Sequence, residues 1–211
     1  MIRRISLFAA LGLLAAASTA PFPDPSVDLP RTGGEQSAVF AGGCFWCTEA
    51  VFDQLIGVRK VVSGFAGDTA GTAHYEVVSS GRTNHAESIE ITYDPAKISY
   101  GTLLKVFFSV AHDPTTKDRQ GPDWGRQYRS AIFYANADQK RVAEDYIKQL
   151  NESGVFKKPI VTEVTPLKGF YPAEEYHQHF VARHPSHPYV VVNSLPKLAH
   201  LKKMYPDLVK K

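Results

Sequence analysis

The sequence predicts an α/β domain: an α+β two-layer sandwich whose mixed sheet has a ferredoxin-like core and extended loops. Three observations predict it. Short apolar runs of strand character alternate with amphipathic helical stretches through one unit, from about residue 37 onward. No internal repeat or low-complexity tract interrupts that unit. The 211 residues, 44% hydrophobic and 21% charged, suffice for one domain with a sizeable core and exclude disorder as the main state.

The first stretch is a leader. Arg3 and Arg4 precede an apolar run from Ile5 to Ala17, followed by Ser18-Thr19-Ala20. A charged start, an apolar centre and small residues predict a secretory signal peptide over 1–20 and an exported, periplasmic or secreted protein. The run is short for a membrane span, so no stable membrane association is expected once it is removed. Residues 21–36, rich in proline and polar groups, read as a linker, and 37–211 as a single domain with a C-terminal tail. Without the two leader arginines, 22 basic residues face 21 acidic ones. That balance, with no basic run among aromatics, predicts no nucleic-acid partner.

The domain opens with a strand at 37–41. A helix from Cys44 to about Ile56 follows, ended by Gly57. Val58–Val62 is a second strand and Ser63–Gly81 a long loop carrying His74 and Tyr75. Ile89–Tyr93 alternates as a strand and stops at Asp94-Pro95. Ser99 caps an apolar helix. A second long loop, His112–Arg126, leads to a strand at Tyr128–Tyr134, and Asn136 caps an amphipathic helix. Val161–Val164 is another strand, Pro172–Tyr176 opens a short helix, and a weak helix occupies 196–205.

The chemistry concentrates in Gly43-Cys44-Phe45-Trp46-Cys47, which holds both cysteines of the chain. A strand, a two-glycine turn and a helix start put Cys44 at a helix N-terminus. Free N–H groups and the positive dipole end there favour a thiolate and a depressed pKa. Most lone cysteines are inert packing residues, but two of them three positions apart beside a Gly-Gly turn suit redox cycling. A bridge between them would close too small a loop to staple the fold. If Cys44 became a sulfenic acid, Cys47 one helical turn away could condense with it to a disulfide. Phe45 and Trp46, about 100° apart on the first turn, cannot both face the core, so at least one should rim a pocket fit for a small apolar group. Glu87, at the edge of a strand, would be a proton donor if desolvated. Asp123, Tyr75 and Tyr128 are further polar candidates, although such residues are more often solvated or packing groups.

Five blocks in order, Gly43–Cys47, Asn84-His85-Ala86-Glu87, Arg119-Gln120-Gly121, Asp123 to Ser130, and Ala173 to Gln178, resemble the A-type peptide methionine sulfoxide reductases. The resemblance covers about 37–185. It implies reduction of the S epimer of methionine sulfoxide, free or in oxidised proteins, without metal, flavin or other cofactor. In that reading Cys44 attacks the sulfoxide sulfur and Glu87 protonates its oxygen. Tyr75 and Tyr128 hydrogen-bond that oxygen, Asp123 orders the polar side, and Phe45 and Trp46 take the methyl group. Many members resolve with cysteines near the C-terminus; this tail has none, which leaves Cys47. The implied partner is thioredoxin or a thioredoxin-like reductant, and the expected state a monomer repairing oxidised exported proteins. Trp124 stands where the family commonly has histidine, and Gly64-Phe65-Ala66-Gly67-Asp68 departs from the usual glycine-rich run.

Two other readings compete. Cys-x-x-Cys at a helix start in an exported protein suits a thioredoxin-like oxidoreductase, though two bulky aromatics fill the intervening positions and no cis-proline loop is evident. Cys44 and Cys47 with His177, His179, His184 and His187 could bind zinc, but the histidines lack regular spacing.

Overall fold

The computed structural model describes residues 22–31 and 33–211. The expected signal peptide lies outside the described residues. Six strands form one sheet: β1 (Gln36–Gly42), β2 (Val58–Ala66), β3 (Ala86–Tyr93), and, beyond the short hairpin β4 (Arg119–Gln120) and β5 (Asp123–Trp124), β6 (Ser130–Tyr134), β7 (Glu163–Pro166) and β8 (Phe170–Pro172). Their order is β7-β6-β1-β3-β2-β8, with only the β6–β7 pair parallel. The central four, β6-β1-β3-β2, are antiparallel. Helix α1 (Phe45–Asp53) links β1 to β2, and α3 (Tyr100–Val106) lies between β3 and β6, after the short α2 (Tyr75–Ser79). This is the split βαβ arrangement of a ferredoxin-like core.

The sheet is mixed because one extra strand joins each edge of that core. Strand β1 sits at its centre, which explains the unbroken apolar run Ala38-Val39-Phe40-Ala41. Phe40 faces the helices and packs on Phe107 at 5.0 Å and Phe52 at 5.9 Å. Val39 and Ala41 join Ala66, Ala131 and Phe133 in a second, smaller cluster. Fully buried side chains such as Phe40, Phe52 and Leu55 each contribute about 2 kcal/mol through removal from water. The caps hold as expected: Ser99 accepts from Thr102 N, and Asn136 from Gln139 N at the start of α4 (Ala137–Ser153).

Several expectations are corrected. Helix α1 stops at Asp53 because residues 54–56 turn away to meet the tail: Ile56 N donates to Leu208 O and Leu55 pairs with Val209. Gly57, with φ +91°, then reverses the chain. The stretch 63–81 is not one loop. Strand β2 runs on to Ala66, and α2 follows with Tyr75 as its first residue. Strand β8, which pairs with β2, has only three residues, too few for a periodic signal. The expected helix at 172–176 is a single 3-10 turn, Glu175–His177. Tyr128 lies on the 3-10 turn before β6 rather than in the strand.

The linker reading is also corrected in part. Residues 22–31 form neither helix nor strand, yet they dock on the body. Tyr146 Oη donates to Pro23 O, Lys105 pairs with Asp24, and Gly101 N donates to Asp28. Phe22 packs edge-on against Phe156. After β8 come the short α5 (Phe180–Arg183) and, beyond a π-helical turn at Val190–Ser194, the last helix, α6 (Leu195–Met204). Among the described residues no helix is long and apolar enough to cross a membrane.

Candidate active site

The strand-to-helix turn is built on Gly43, whose φ of +84° is left-handed. A Cβ there would stand 2.5 Å from Gln120, so glycine also lets the loop after α3 close over the turn. Gln120 locks that loop through its amide: Nε2 donates to Asp113 O, and Oε1 accepts from Asp113 N. Cys44 occupies the N-cap of α1, and its carbonyl accepts from Cys47 N at 3.1 Å.

The first free N–H of α1 does not serve the Cys44 sulfur. Phe45 N donates to Glu87 Oε2 at 3.0 Å, inside the protein. Glu87 is buried at the start of β3, and that burial pushes its pKa up to about 8 despite the Phe45 bond. At neutral pH the carboxyl carries a proton it can give away. Its position is fixed by Asn84, three residues earlier. The Asn84 backbone N donates to Asp68, its side chain donates to Gly67 O, and its carbonyl accepts from Arg129.

The depressed Cys44 pKa expected from the helix start is not found. Burial, then the hydrogen bond and charge of Cys47, then the charge of Glu87, push the Cys44 thiol well above its usual range. The cost of burying a thiolate outweighs the dipole, and the Cys44 side chain makes no cap hydrogen bond to the first turn of the helix. Cys47 is the lower partner, brought down to about 6. The hydrogen bond from Cys44 is the main cause, followed, against the opposing effect of burial, by the charge of Lys197 and the hydroxyls of Ser194 and Tyr189.

Both cysteines open on one cavity of about 240 Å³, lined also by His112, Gln120, Asp123, Tyr189 and Lys197. Tyr189 Oη donates to Asp123 Oδ2 at 2.5 Å. His112 is buried and stays neutral, its pKa lowered to about 3 by burial; its ring bonds Phe107 O and Ser130 Oγ.

Phe45 is 1% exposed, packed on Phe65 and His177, whereas Trp46 is half-buried and, like Phe45, does not line that cavity. The Trp46 indole is stacked on Phe180 at 3.8 Å, faces Tyr189 edge-on, and donates through Nε1 to His177 Nδ1 at 3.1 Å. Tyr75 lies against the same His177 ring at 4.3 Å. Burial and then the nearby Glu87 charge push Tyr75 up to about 12 and Tyr128 higher still, so both hydroxyls remain donors. The structure therefore gathers Cys44, Cys47 and Asp123 on the cavity, with Glu87, Tyr75 and Tyr128 in electrostatic reach of Cys44. Phe45 is a core residue and does not line that cavity.

The comparisons with known proteins show the family. The family model for peptide methionine sulfoxide reductase matches residues 36–208. The chain belongs to that family. The peptide methionine sulfoxide reductase MsrA 2 of Synechocystis is 56% identical over 192 residues, covering 89% of this chain and 90% of that protein. The MsrA of Thermus thermophilus is 47% identical over 176 residues, covering 83% and 98%. Among solved structures, methionine sulfoxide reductase A of Corynebacterium diphtheriae superposes with a TM-score of 0.64 at 34% identity, covering 79% of this chain and 83% of that one. The reduced form of Mxr1 from Saccharomyces cerevisiae also gives 0.64, at 33% identity, with 73% and 88% covered. The protein is an oxidoreductase that reduces methionine sulfoxide.

Four residues of this reductase's site were not legible in its sequence: His177 as a contact of Trp46, and Tyr189, Ser194 and Lys197 from the tail. A lone tyrosine, serine and lysine in a Pro-, His- and Lys-rich stretch carry no signal of their own. His177 lies within a resemblance block and among the candidate zinc ligands, but nothing in the sequence pairs it with Trp46. The zinc reading finds no support in the geometry: among the described residues the one group of candidate ligands close enough to share an ion is Glu49, Asp53 and His179, without either cysteine.

Proposed function

We propose that this reductase acts on the S epimer of methionine sulfoxide, free or in exported proteins, through a Cys44 sulfenic acid and a Cys44–Cys47 disulfide. The observation that carries the reading is the pairing of a buried Glu87, held protonated beside the first turn of α1, with two cysteines that open on one cavity. Cys44 Sγ attacks the sulfoxide sulfur and gives its own proton to solvent. Attack forms a transient Sγ–sulfur bond, and Glu87 protonates the sulfoxide oxygen. The substrate S–O bond and the Sγ–sulfur bond then break as the hydroxyl passes to Cys44 Sγ, leaving a sulfenic acid while methionine departs with the electron pair. The methionine sulfur is reduced by two electrons and Cys44 is oxidised by two. Cys47 then attacks Cys44 Sγ; the S–S bond forms, the S–O bond breaks, and the oxygen leaves as water. A thioredoxin or thioredoxin-like dithiol reduces the disulfide. Tyr75 and Tyr128 donate to the developing oxygen, Trp46 forms the apolar rim for the methyl group, and Asp123 with Tyr189 holds the polar side.

The test is an assay with the S and R epimers offered separately, followed by mass measurement of the peptide that holds both cysteines. Turnover of the S epimer alone, with that peptide two hydrogens lighter, is expected. Equal turnover of R, or an unbridged peptide after reaction without reductant, refutes the reading. Export is tested by fractionating cells that produce the full chain; recovery of unprocessed protein in the cytoplasm alone would overturn it.

A further inference from the structure

The tail of this chain has no cysteine, yet it reaches the redox pair. The π-helical turn at Val190–Ser194 and helix α6 bring two polar side chains to Cys47, which is 2% exposed. Ser194 Oγ lies 3.1 Å from Cys47 Sγ, although the two are 147 positions apart. Ser194 is itself 1% exposed, and among the described residues that contact is its only side-chain hydrogen bond. Lys197, one turn further on, lines the cavity shared by both cysteines and is anchored there by donating from Nζ to Ala111 O at 2.6 Å.

We infer that Ser194 and Lys197 form a thiolate-holding pair that prepares Cys47 for its attack on the Cys44 sulfenic acid. This rests on the disulfide route proposed above. In that step Cys47, as thiolate, forms the S–S bond; the S–O bond of Cys44 breaks, and the oxygen leaves as water with a proton from solvent. The Cys47 sulfur is oxidised and the Cys44 sulfur reduced. The hydroxyl of Ser194 donates to the sulfur, and the ammonium of Lys197 balances its charge across the cavity that both cysteines share.

The charges around Cys47 are unequal. Cys44 and Tyr189 offer hydrogen bonds, Glu87 is protonated at neutral pH, and neutral His112, the Asp113 carboxylate and Asp123, which accepts from Tyr189, line the same cavity. Among the described residues Lys197 is the cation lining that cavity, and its charge lowers Cys47 further, after the larger effect of the Cys44 hydrogen bond. An attacking thiol is most effective when its pKa lies near the working pH, where thiolate fraction and intrinsic nucleophilicity balance. The arrangement also separates the two sulfurs chemically. Cys44 stays a thiol until substrate arrives, while Cys47 is ready as soon as the sulfenic acid exists.

The experiment measures Cys47 directly. In a Cys44→Ser background, the rate of Cys47 alkylation by iodoacetamide is followed against pH, with and without Lys197→Met or Ser194→Ala. Lys197→Met is expected to move the midpoint upward by about one pH unit, lowering the rate at pH 6 about fivefold. Lys197→Arg should restore most of it, which a merely structural role of Lys197 would not predict. In the protein with both cysteines, Lys197→Met should release about one methionine per enzyme and then accumulate a sulfenic acid trappable by dimedone. An unmoved midpoint in both Lys197→Met and Ser194→Ala overturns the inference, as does disulfide formation at the parent rate. Full turnover by Cys47→Ser with a thioredoxin overturns instead the disulfide route on which it rests. If Lys197→Met unfolds, Ser194→Ala and Lys197→Arg carry the test alone.

Discussion

The most demanding prediction concerns Glu87. Replacing it with glutamine keeps an acceptor for Phe45 N but removes the titratable proton. Burial lifts the carboxyl from its ordinary 4.5 to about 8. At about 1.4 kcal/mol for each pH unit between those values, a charged Glu87 costs the folded state about 5 kcal/mol relative to a protonated one. Across that window the folded carboxyl still holds its proton while the unfolded one has lost it, so stability falls as pH rises from 4.5 to about 8. Glu87→Gln removes that fall. The variant should match the parent near pH 4.5 and exceed it by several kcal/mol at pH 8.5, as read by urea unfolding at both pH values. Activity should move the other way. Loss of a positioned general acid lowers the single-turnover rate of methionine release about 10²–10⁴-fold, and the alkaline decline that the parent shows near pH 8 should lose its Glu87 component. A variant within tenfold of the parent rate, or one whose stability keeps the parent's pH dependence, refutes the assignment of Glu87 as a buried proton donor.

Cys44→Ser should abolish sulfoxide reduction, checked by methionine release. Cys47→Ser should still yield about one methionine per enzyme and then stall as a sulfenic acid; sustained turnover with a thioredoxin would remove Cys47 as the resolving group. Tyr189→Phe strips Asp123 of its hydroxyl donor and should lower kcat/KM about tenfold, the scale of one hydrogen bond to a partly buried charge. A rate unchanged by Tyr189→Phe would mean that Asp123 does not need that bond. Gly43→Ala combines a left-handed backbone with a Cβ 2.5 Å from Gln120 and should cost about 1–3 kcal/mol in urea unfolding; an unaltered midpoint would show that the loop after α3 yields freely.

The layered fold was legible because periodicity is local. The unbroken apolar run of β1, the caps at Ser99 and Asn136 and the alternation of β3 each reflect neighbours within a few positions. Errors cluster where distant chain intervenes. Residues 54–56 left helix α1 to meet Leu208 and Val209. Strand β8 is too short to announce itself, and it pairs with β2 where Gly64 lets the backbone of Tyr171 approach. The segment before β1 reads as a linker by composition, yet Pro23, Asp24 and Asp28 find partners on α3 and α4.

The sequence by itself determined the chemistry available: a cysteine pair one helical turn apart after a glycine turn, an acid within reach of a strand start, and aromatics beside the nucleophile. Residue type and spacing suffice for that, since reactivity of a kind belongs to the side chain. Only the tertiary structure decided which sulfur holds its proton and which gives it up. That choice depends on desolvation and on charges brought from far along the chain. Glu87, 42 positions from Phe45, takes the helix N–H, and Ser194, 147 positions from Cys47, reaches the second sulfur with Lys197 beside it. A helix start alone favours a thiolate at Cys44; the folded environment moves that character to Cys47, where the Cys44 hydrogen bond, the Lys197 charge and the Ser194 hydroxyl together outweigh the penalty of burial.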